Sequence, residues 1–212
     1  MLFDLFKQTP NLTNQDIPIR ELDCWVIDGE MSGRSSKEHS LLSFAAIPIP
    51  GKRMFFNDAR NWLLKPDELN VDPEATLIHR IGHEDIAKGS DERVVAEEIS
   101  ELLNGTVVVG HNVTFDIGFL RSLFSRHGLK CEFESIDMGR LMYWYEQLIN
   151  PHVPHERPFR RMDDLVEAMN LPVYREHDAF NDCIMTGSLF LRLLCEVRKA
   201  GYSTLKELKR LS

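Results

Sequence analysis

The alternation of apolar and polar positions predicts an α/β domain. Residues 22–28 and 41–49 are largely apolar, as expected for buried strands, and a third strand is predicted over 53–58, after the turn at Pro50 and Gly51. Strands joined by such short connections favour an antiparallel meander. The rest of the chain alternates short apolar stretches with segments whose apolar residues recur at helical spacing. The pattern therefore predicts a mixed β-sheet flanked by α-helices.

The elements of the second half are predicted by their periodicity and by their start and stop signals. Strands are expected at 106–112 and 135–137. The expected helices cover 91–103, 114–127, 138–148, 162–169, 179–199 and 204–209. This alternation of strands and helices supports the mixed sheet.

Three regions are expected along the chain. Residues 1–20 are the least patterned, with a polar stretch between two prolines, and are interpreted as a loosely attached N-terminal arm. The apolar residues 1–6 of this arm are expected to form a short helix on the domain or a peptide that binds a partner. A folded domain is predicted over 21–200, and residues 201–212 are expected to form a short helix or tail.

Composition limits the classes of protein to which the chain can belong. Its 212 residues include four scattered cysteines, which indicate neither a disulfide framework nor a zinc knuckle. No apolar run is long enough to span a bilayer and no signal peptide is recognisable, so no membrane is expected and the expected location is the cytoplasm. The formal net charge of −8 argues against a protein that coats long duplexes, but it leaves open an enzyme that holds only a strand end.

Acidic residues at the ends of predicted strands are the strongest local signal. Asp28 and Glu30 lie two residues apart after the apolar stretch 24–27, so both side chains project from one face of the strand. Two carboxylates this close repel each other unless a cation lies between them, which is costly in a fold and useful in a metal site. Surface strands also carry such pairs, so the pair alone does not establish a metal site.

Asp116 and the pair His177 and Asp182 form two further signals. Asp116 lies in the first turn of the helix that follows the strand 106–112, where an acid also complements the helix dipole. Asp178 is predicted to cap the long helix that begins directly after it, which places His177 just before the helix and Asp182 in its first turns. Each of these residues has an ordinary structural interpretation when it is taken alone.

Together these segments resemble the three motifs of the DEDDh exonuclease family, in the ribonuclease H-like superfamily. The matching segments are V-I-D-G-E-M-S-G at 26–33, G-H-N-V-T-F-D-I-G-F-L at 110–120 and H-D-A-F-N-D at 177–182. A further segment, I-H-R-I-G-H-E-D-I at 78–86, is similar to the family's usual I-H-G-I-T. The resemblance is nearer to the epsilon proofreading subunits of bacterial DNA polymerase III than to the oligoribonuclease type.

The resemblance implies a ribonuclease H-like α/β fold and a 3′→5′ exonuclease that uses two divalent cations, Mg²⁺ or Mn²⁺. Asp28 would bridge both cations, Glu30 and Asp182 would complete one site, and Asp116 would support the other, partly through water. His177 would deprotonate the attacking water. These residue types suit the chemistry, because hard oxygen ligands favour Mg²⁺ or Mn²⁺ and histidine titrates near neutrality.

The resemblance also implies contacts with the terminal nucleotide. The residues expected to make them are Gly29, Met31 and Ser32 through backbone groups, Ile78 and Phe115 on the bases, and His79 and Asn112 near the sugar. Met31 and Ser32 replace two threonines that the family commonly has, and the usual I-T pair after His79 is broken up. These departures put the substrate in question more than the reaction.

Three interpretations of the function remain open. The favoured one is removal of nucleotides from a single-stranded or frayed DNA 3′ end, in proofreading or repair. RNA is the alternative substrate, as for RNase T or oligoribonuclease, because one sequence does not reveal the contacts that distinguish a 2′-hydroxyl. The third is a non-catalytic nuclease fold kept for its contacts with a replication or repair protein.

Overall fold

The computed structural model describes residues 15–152, 162–174 and 177–212, which form one mixed β-sheet with helices packed on both faces. The strands are β1 (Asp23–Met31), β2 (Leu41–Pro50), β3 (Arg60–Lys65), β4 (Ser90–Asp91), β5 (Val107–Gly110) and β6 (Glu134–Asp137). Their order in the sheet is β4-β3-β2-β1-β5-β6. The first three strands form the antiparallel meander, whereas β5 is parallel to β1, β6 to β5 and β4 to β3. The predicted mixed sheet is confirmed.

The helices divide between the two faces of the sheet. They are α1 (Pro73–His79), α2 (His83–Ile86), α3 (Glu92–Leu103), α4 (Thr114–Arg126), α5 (Met138–Ile149), α6 (Met162–Ala168), α7 (Ala179–Lys199) and α8 (Leu205–Leu211). Cys24 and Val26 of β1 lie in one apolar cluster with α5, α6, α7 and α8, whereas Trp25 and Ile27 lie in another with α3 and α4. Because both faces of β1 are covered, its centre reads as a continuous apolar run rather than an alternating one.

The position predicted for the third strand is wrong. Residues 53–58 form a loop that ends in the 3₁₀ turn Phe56–Asp58, and the strand that pairs with β2 follows it as β3. Met54 packs over Gly187 of α7, where its Sδ lies only 2.5 Å from the position of an added Cβ. Phe56 is 51% exposed. The apolar character of this segment therefore reflects packing on a helix and a surface phenylalanine, not a strand.

Residues 15–20 of the predicted N-terminal arm lie against the C-terminal segment. The N–H of Ile19 donates to the carbonyl oxygen of Ser203 at 2.8 Å, and Ile19 is buried. The predicted C-terminal helix is present as α8, whose buried leucines join the same apolar cluster as Ile19. Residues 1–14, which include the apolar residues 1–6, lie outside the described residues. Within the described part of the chain, no helix combines the length and apolarity needed to cross a membrane.

Candidate active site

The carboxyl end of β1 carries Asp28 and Glu30 near the middle of the sheet. β1 pairs with β2 along one edge and with β5 along the other. Gly29, between the two acids, has little room for a side chain, because an added Cβ would lie 2.9 Å from Cδ1 of Leu41 and 3.3 Å from the carbonyl oxygen of Ser43. Close packing against β2 thus explains the small residue in this motif and fixes the backbone that carries both acids.

α4 brings Asp116 to the same place. The connection from β5 to α4 is tight, since Asn112 has a φ of +51° and an added Cβ at Gly110 would lie 2.7 Å from Cγ2 of Val113. Asp116 lies in the first turn of the helix and is buried. Its carboxylate accepts hydrogen bonds from its own N–H and from the N–H of Gly29. α4 is therefore joined to β1 at the residue between the two acids of the strand.

The start of α7 contributes the third segment. Oδ1 of Asp178 accepts from the N–H of Asn181 at 3.0 Å and caps the helix as predicted. His177 precedes the cap with a φ of +60°, and its N–H donates to Oδ2 of Asp182 at 3.0 Å. Ligand atoms of Glu30, His177 and Asp182 all lie within 4.8 Å of one another. The three motif segments, which are distant in sequence, therefore converge.

The carboxylates of this site raise one another's pKa values. Burial raises the pKa of Asp28 well above its ordinary value, and the charges of four neighbouring acids raise it further. These neighbours are, in decreasing order of effect, Asp116, Asp182, Glu30 and Asp178. Burial, followed by the charge of Asp182, raises the pKa of Glu30 to about 8. Burial also raises the pKa of Asp116 to about 8, although its backbone hydrogen bonds act in the opposite direction.

This arrangement fits divalent cations bound through oxygen. Burial and mutual repulsion raise the pKa values of these carboxylates. A bound cation lowers the pKa values again, because it stabilises the charged form of each carboxylate. The candidate group Glu30, His177 and Asp182 offers two carboxylates and one imidazole. Cys183 lies beside the acids, but burial raises the pKa of its thiol, which donates to the carbonyl oxygen of Ala45 at 3.4 Å. The site therefore offers no thiolate from Cys183, and its donors are those that hard cations prefer.

A cavity of about 210 Å³ opens beside the acids. Five of the seven residues predicted to contact the terminal nucleotide line it, namely Gly29, Met31, Ile78, His79 and Phe115. Ile78 and Phe115 are 47% and 46% exposed, so they present apolar surface to the cavity. His79 is buried, which lowers the pKa of its imidazole, and its Nδ1 accepts from the N–H of Ile81 at 3.0 Å.

Ser32 and Asn112, the other two predicted contacts, do not line this cavity. Ser32 is fully buried, and its hydroxyl donates to the carbonyl oxygen of Asn70 and accepts from the N–H of Ser40 at 2.9 Å. It ties the loop after β1 to the segment before α1. Asn112 is exposed in the β5–α4 turn, where its positive φ suits asparagine better than most residues. Contacts of these two residues with a substrate stay predictions.

The structure also places residues at the site that the sequence patterns do not single out. Arg34, Asp72 and Glu74 line the cavity. Asp72 caps α1 by accepting from the N–H of Glu74 at 3.0 Å, and Pro73 occupies the first turn, so the D-P-E sequence was a usable signal for this helix. Asp137 lies at the carboxyl end of β6, and its negative charge is close enough to raise the pKa of Asp116.

The family of the chain follows from comparison of its sequence with known proteins. The exonuclease family model RNase_T matches residues 25–190, which is more than half of the chain. The chain therefore belongs to this exonuclease family, whose DEDDh group its motifs resemble.

Several relatives are longer proteins. The chain is 27% identical over 192 residues to the 3′-5′ exonuclease DinG of Bacillus subtilis, which covers 88% of this chain and 19% of DinG. It is 33% identical over 105 residues to the DNA polymerase III subunit epsilon of Escherichia coli, which covers 47% of this chain and 42% of that subunit. The chain thus spans less than half the length of either relative.

Solved structures share the fold. The crystal structure of Escherichia coli exonuclease I in complex with a dT13 oligonucleotide matches with a TM-score of 0.72 at 22% identity, covering 84% of this chain and 42% of that one. The mixed sheet and its flanking helices are therefore a ribonuclease H-like α/β fold.

Proposed function

We propose that this domain is a 3′→5′ exonuclease that removes nucleoside 5′-monophosphates from single-stranded or frayed 3′ ends, with DNA as its substrate. The observation that carries the proposal is the convergence of four acids and one histidine, from β1, α4 and the start of α7, beside a cavity of about 210 Å³. Membership of the exonuclease family supports it.

The four acids would hold two divalent cations, Mg²⁺ or Mn²⁺, with Asp28 shared between them. Bound cations supply positive charge that makes water more acidic and stabilises the departing 3′ oxygen. The chain contributes a fixed arrangement of ligands. Asp116 is tied to the N–H of Gly29, and Asp182 is tied to the N–H of His177, so neither carboxylate has to be ordered when a substrate arrives.

His177 would accept the proton of the attacking water. Its ring lies beside the carboxylates of Glu30 and Asp182, and the residue is exposed, so a proton taken from water can pass to solvent. Its positive φ is a backbone conformation that non-glycine residues adopt at a cost. Backbone strain of this kind is concentrated at functional sites, which is consistent with a role for the imidazole in the reaction.

The cavity would hold the terminal nucleotide between apolar side chains. Phe115 packs against Phe119 with ring centroids 5.1 Å apart and an interplanar angle of 60°, which restricts its ring. Ile78 reaches the same cavity from α1. Stacking on such side chains suits an unpaired base of any sequence, because every base has a π-face.

DNA is proposed over RNA because of the relatives. Solved structures of Escherichia coli exonuclease I that share this fold contain dA16 or dT13 oligonucleotides, and the epsilon relative is a subunit of a DNA polymerase. An RNA substrate is the alternative.

The proposal is tested with 5′-labelled DNA and RNA of one sequence, incubated with the full chain and Mg²⁺ or Mn²⁺. We expect a ladder that shortens from the 3′ end, faster on DNA, and abolished by a chelator or by Asp28→Ala. Faster shortening of RNA would select the RNA alternative. Internal cuts, or activity that survives the chelator, would contradict the two-cation exonuclease.

We also propose that the domain contacts a replication or repair protein through its N-terminal residues. The epsilon and PolC-type relatives, whose names assign them to DNA polymerase III, support such a contact.

Because Ile19 is buried, the informative deletion removes residues 1–14 and not the whole predicted arm. We expect the shortened chain to keep its activity on single-stranded DNA and to lose co-elution with a DNA polymerase III catalytic subunit. Co-elution of the shortened chain would contradict the role of this segment, and lack of activity in the intact chain would favour a non-catalytic binding module.

A further inference from the structure

A second group of possible metal ligands lies at the opposite end of α4 from the active site. Ligand atoms of Asp67, Glu92 and His127 all lie within 4.8 Å of one another. Asp67 follows β3, Glu92 begins α3 and His127 directly follows α4. Asp116 lies in the first turn of α4 and the helix has 13 residues, so its two ends are separated by about 20 Å at 1.5 Å per residue. This group is therefore separate from the catalytic acids.

The spacing within the group matches metal ligands better than it matches a hydrogen bond. Nε2 of His127 lies 3.6 Å from Oε2 of Glu92, beyond the range of a hydrogen bond. In a tetrahedral zinc site with ligand bonds of about 2.1 Å, two ligand atoms are about 3.4 Å apart. The side chains of Glu92 and His127 are only 2% and 9% exposed, and among the described residues Nε2 of His127 has no hydrogen-bond partner. A buried imidazole nitrogen thus faces a buried carboxylate at ligand spacing.

Arg126 pairs with one oxygen of this carboxylate, and the other oxygen faces His127. The guanidinium pairs with Oε1 of Glu92, whereas Oε2 faces His127 and also accepts a hydrogen bond from the backbone N–H of Asp67 at 3.3 Å, which leaves it a second lone pair for a cation. Carboxylates that bind metals are commonly held in this way through their other oxygen. Two carboxylates and one guanidinium leave the group with a net negative charge while the imidazole is neutral, so a divalent cation is attracted to it.

We propose that Asp67, Glu92 and His127 bind a transition-metal ion, with Zn²⁺ the best match. One imidazole nitrogen and two carboxylate oxygens form a donor set that Zn²⁺ accepts, with water at the fourth position. Asp67 is exposed, so its side chain can close the remaining distance. The ion would join the end of β3, the start of α3 and the end of α4, and so brace the helix whose first turn carries Asp116. This site is independent of the proposed exonuclease activity.

Zn²⁺ binding is measured on the full chain after two proposed catalytic metal ligands are replaced, so that most binding at the catalytic site is removed. The parent is the Asp28→Ala, Asp182→Ala double variant. His127→Gln and Asp67→Asn are added to it separately, and His83→Gln, at an exposed histidine outside the group, is the matched control. Bound Zn²⁺ is measured by equilibrium dialysis, and Co²⁺ is used as a visible-absorption probe. Circular dichroism checks the fold, which Asp67→Asn leaves intact because that side chain is exposed.

We expect His127→Gln and Asp67→Asn each to lose about one equivalent of Zn²⁺ and the Co²⁺ absorption band, and we expect His83→Gln to lose neither. Zn²⁺ should also raise the melting temperature of the parent and not that of the two variants, because only a ligand that binds the folded state stabilises it. Unchanged Zn²⁺ uptake in either variant would overturn the proposal and leave the group as a partly buried ion pair between Arg126 and Glu92.

Discussion

The backbone N–H of His177 donates to Oδ2 of Asp182 at 3.0 Å, so the proposed base and a proposed metal ligand are joined through the main chain and not through the imidazole. Replacement of the side chain at position 177 therefore leaves the hydrogen bond that orients Asp182 in place. The φ of +60° at His177 costs a residue other than glycine about 1–2 kcal/mol. The roles of side chain and backbone at this position can thus be separated by mutation.

His177→Ala is expected to lower kcat by roughly 10²–10⁴-fold, the usual contribution of a general base, and to leave divalent-cation affinity nearly unchanged. His177→Gly should lose the same activity and be more stable than His177→Ala, because glycine adopts a positive φ without strain. Single-turnover rates and calorimetric titration with Mn²⁺ measure the two effects. A rate for His177→Ala equal to that of the unmodified chain would remove the role of base, and a large loss of Mn²⁺ affinity would make His177 a ligand instead.

The raised pKa values predict how pH affects the metal-free protein. The pKa of Glu30 and of Asp116 is about 8 in the folded chain, above the ordinary carboxyl values near 4. Between about pH 4 and pH 8 the folded state therefore binds more protons than the unfolded state, and the free energy of unfolding falls as pH rises through this window. Calorimetry in a chelator should show a higher melting temperature at pH 5 than at pH 8, and Mn²⁺ should release protons as it binds near neutral pH.

Asp116→Asn isolates one of these groups, because asparagine has a similar shape and no charge. In a chelator at pH 8 the substitution should raise the stability by on the order of 1–2 kcal/mol, or roughly 2–8 °C in melting temperature, and at pH 5 it should have little effect. A melting temperature that is lower in the variant at pH 8 would show that the carboxylate stabilises the metal-free fold, against this prediction. Mn²⁺ should stabilise the unmodified chain more than the variant.

Gly110→Ala should disturb the site through the backbone. An added Cβ would lie 2.7 Å from Cγ2 of Val113 and 3.1 Å from the carbonyl oxygen of Ile27, in the connection that sets the start of α4. We expect a loss of stability of about 1–3 kcal/mol and a lower kcat, because Asp116 moves with the helix. Gly118→Ala, in the same helix, meets only ordinary contacts from 3.7 Å outward and should be neutral or stabilising. Urea denaturation and exonuclease assays compare the two variants, and equal behaviour would contradict the steric argument.

The parts of the site that the sequence predicts correctly depend on local signals. β1, α4 and α7 each show a clear apolar period or cap, and the ends of neighbouring strands and their following helices meet at one edge of a sheet. Asp178 is an example, because its capping role follows from its position directly before a long apolar helix. Local signals thus predict the elements, whereas the convergence of the three motif segments is implied only by their resemblance to the DEDDh family.

The parts that the sequence does not predict depend on contacts between distant residues. α1 has a local start signal at Asp72 and Pro73, but Leu77 and Ile78 are 80% and 47% exposed, so no buried apolar stripe shows where the helix packs. The hydroxyl of Ser32 bonds to Asn70, 38 residues away, and no local pattern reveals that partner. The position predicted for the third strand is wrong for the same kind of reason, because Met54 is only half-buried and packs over Gly187 of α7, far along the chain.

Phe115→Ala should raise KM for single-stranded DNA by about fivefold or more, since stacking of a base on an aromatic ring contributes about 1–3 kcal/mol. Ile78→Ala should raise KM by a smaller factor, because an aliphatic side chain packs on a base without ring stacking, and kcat should change much less in both variants. Both side chains line the cavity but lie outside the converged acids. Leu77→Ala is the matched control, because Leu77 is the neighbour of Ile78 on α1, is 80% exposed and does not line this cavity. The KM of Leu77→Ala should stay at the value of the unmodified chain.

Steady-state kinetics on an oligothymidylate separates KM from kcat. An effect of Leu77→Ala as large as that of Ile78→Ala would place the strand on the other side of α1, and a fall in kcat without a change in KM would place Phe115 in the reaction and not in binding.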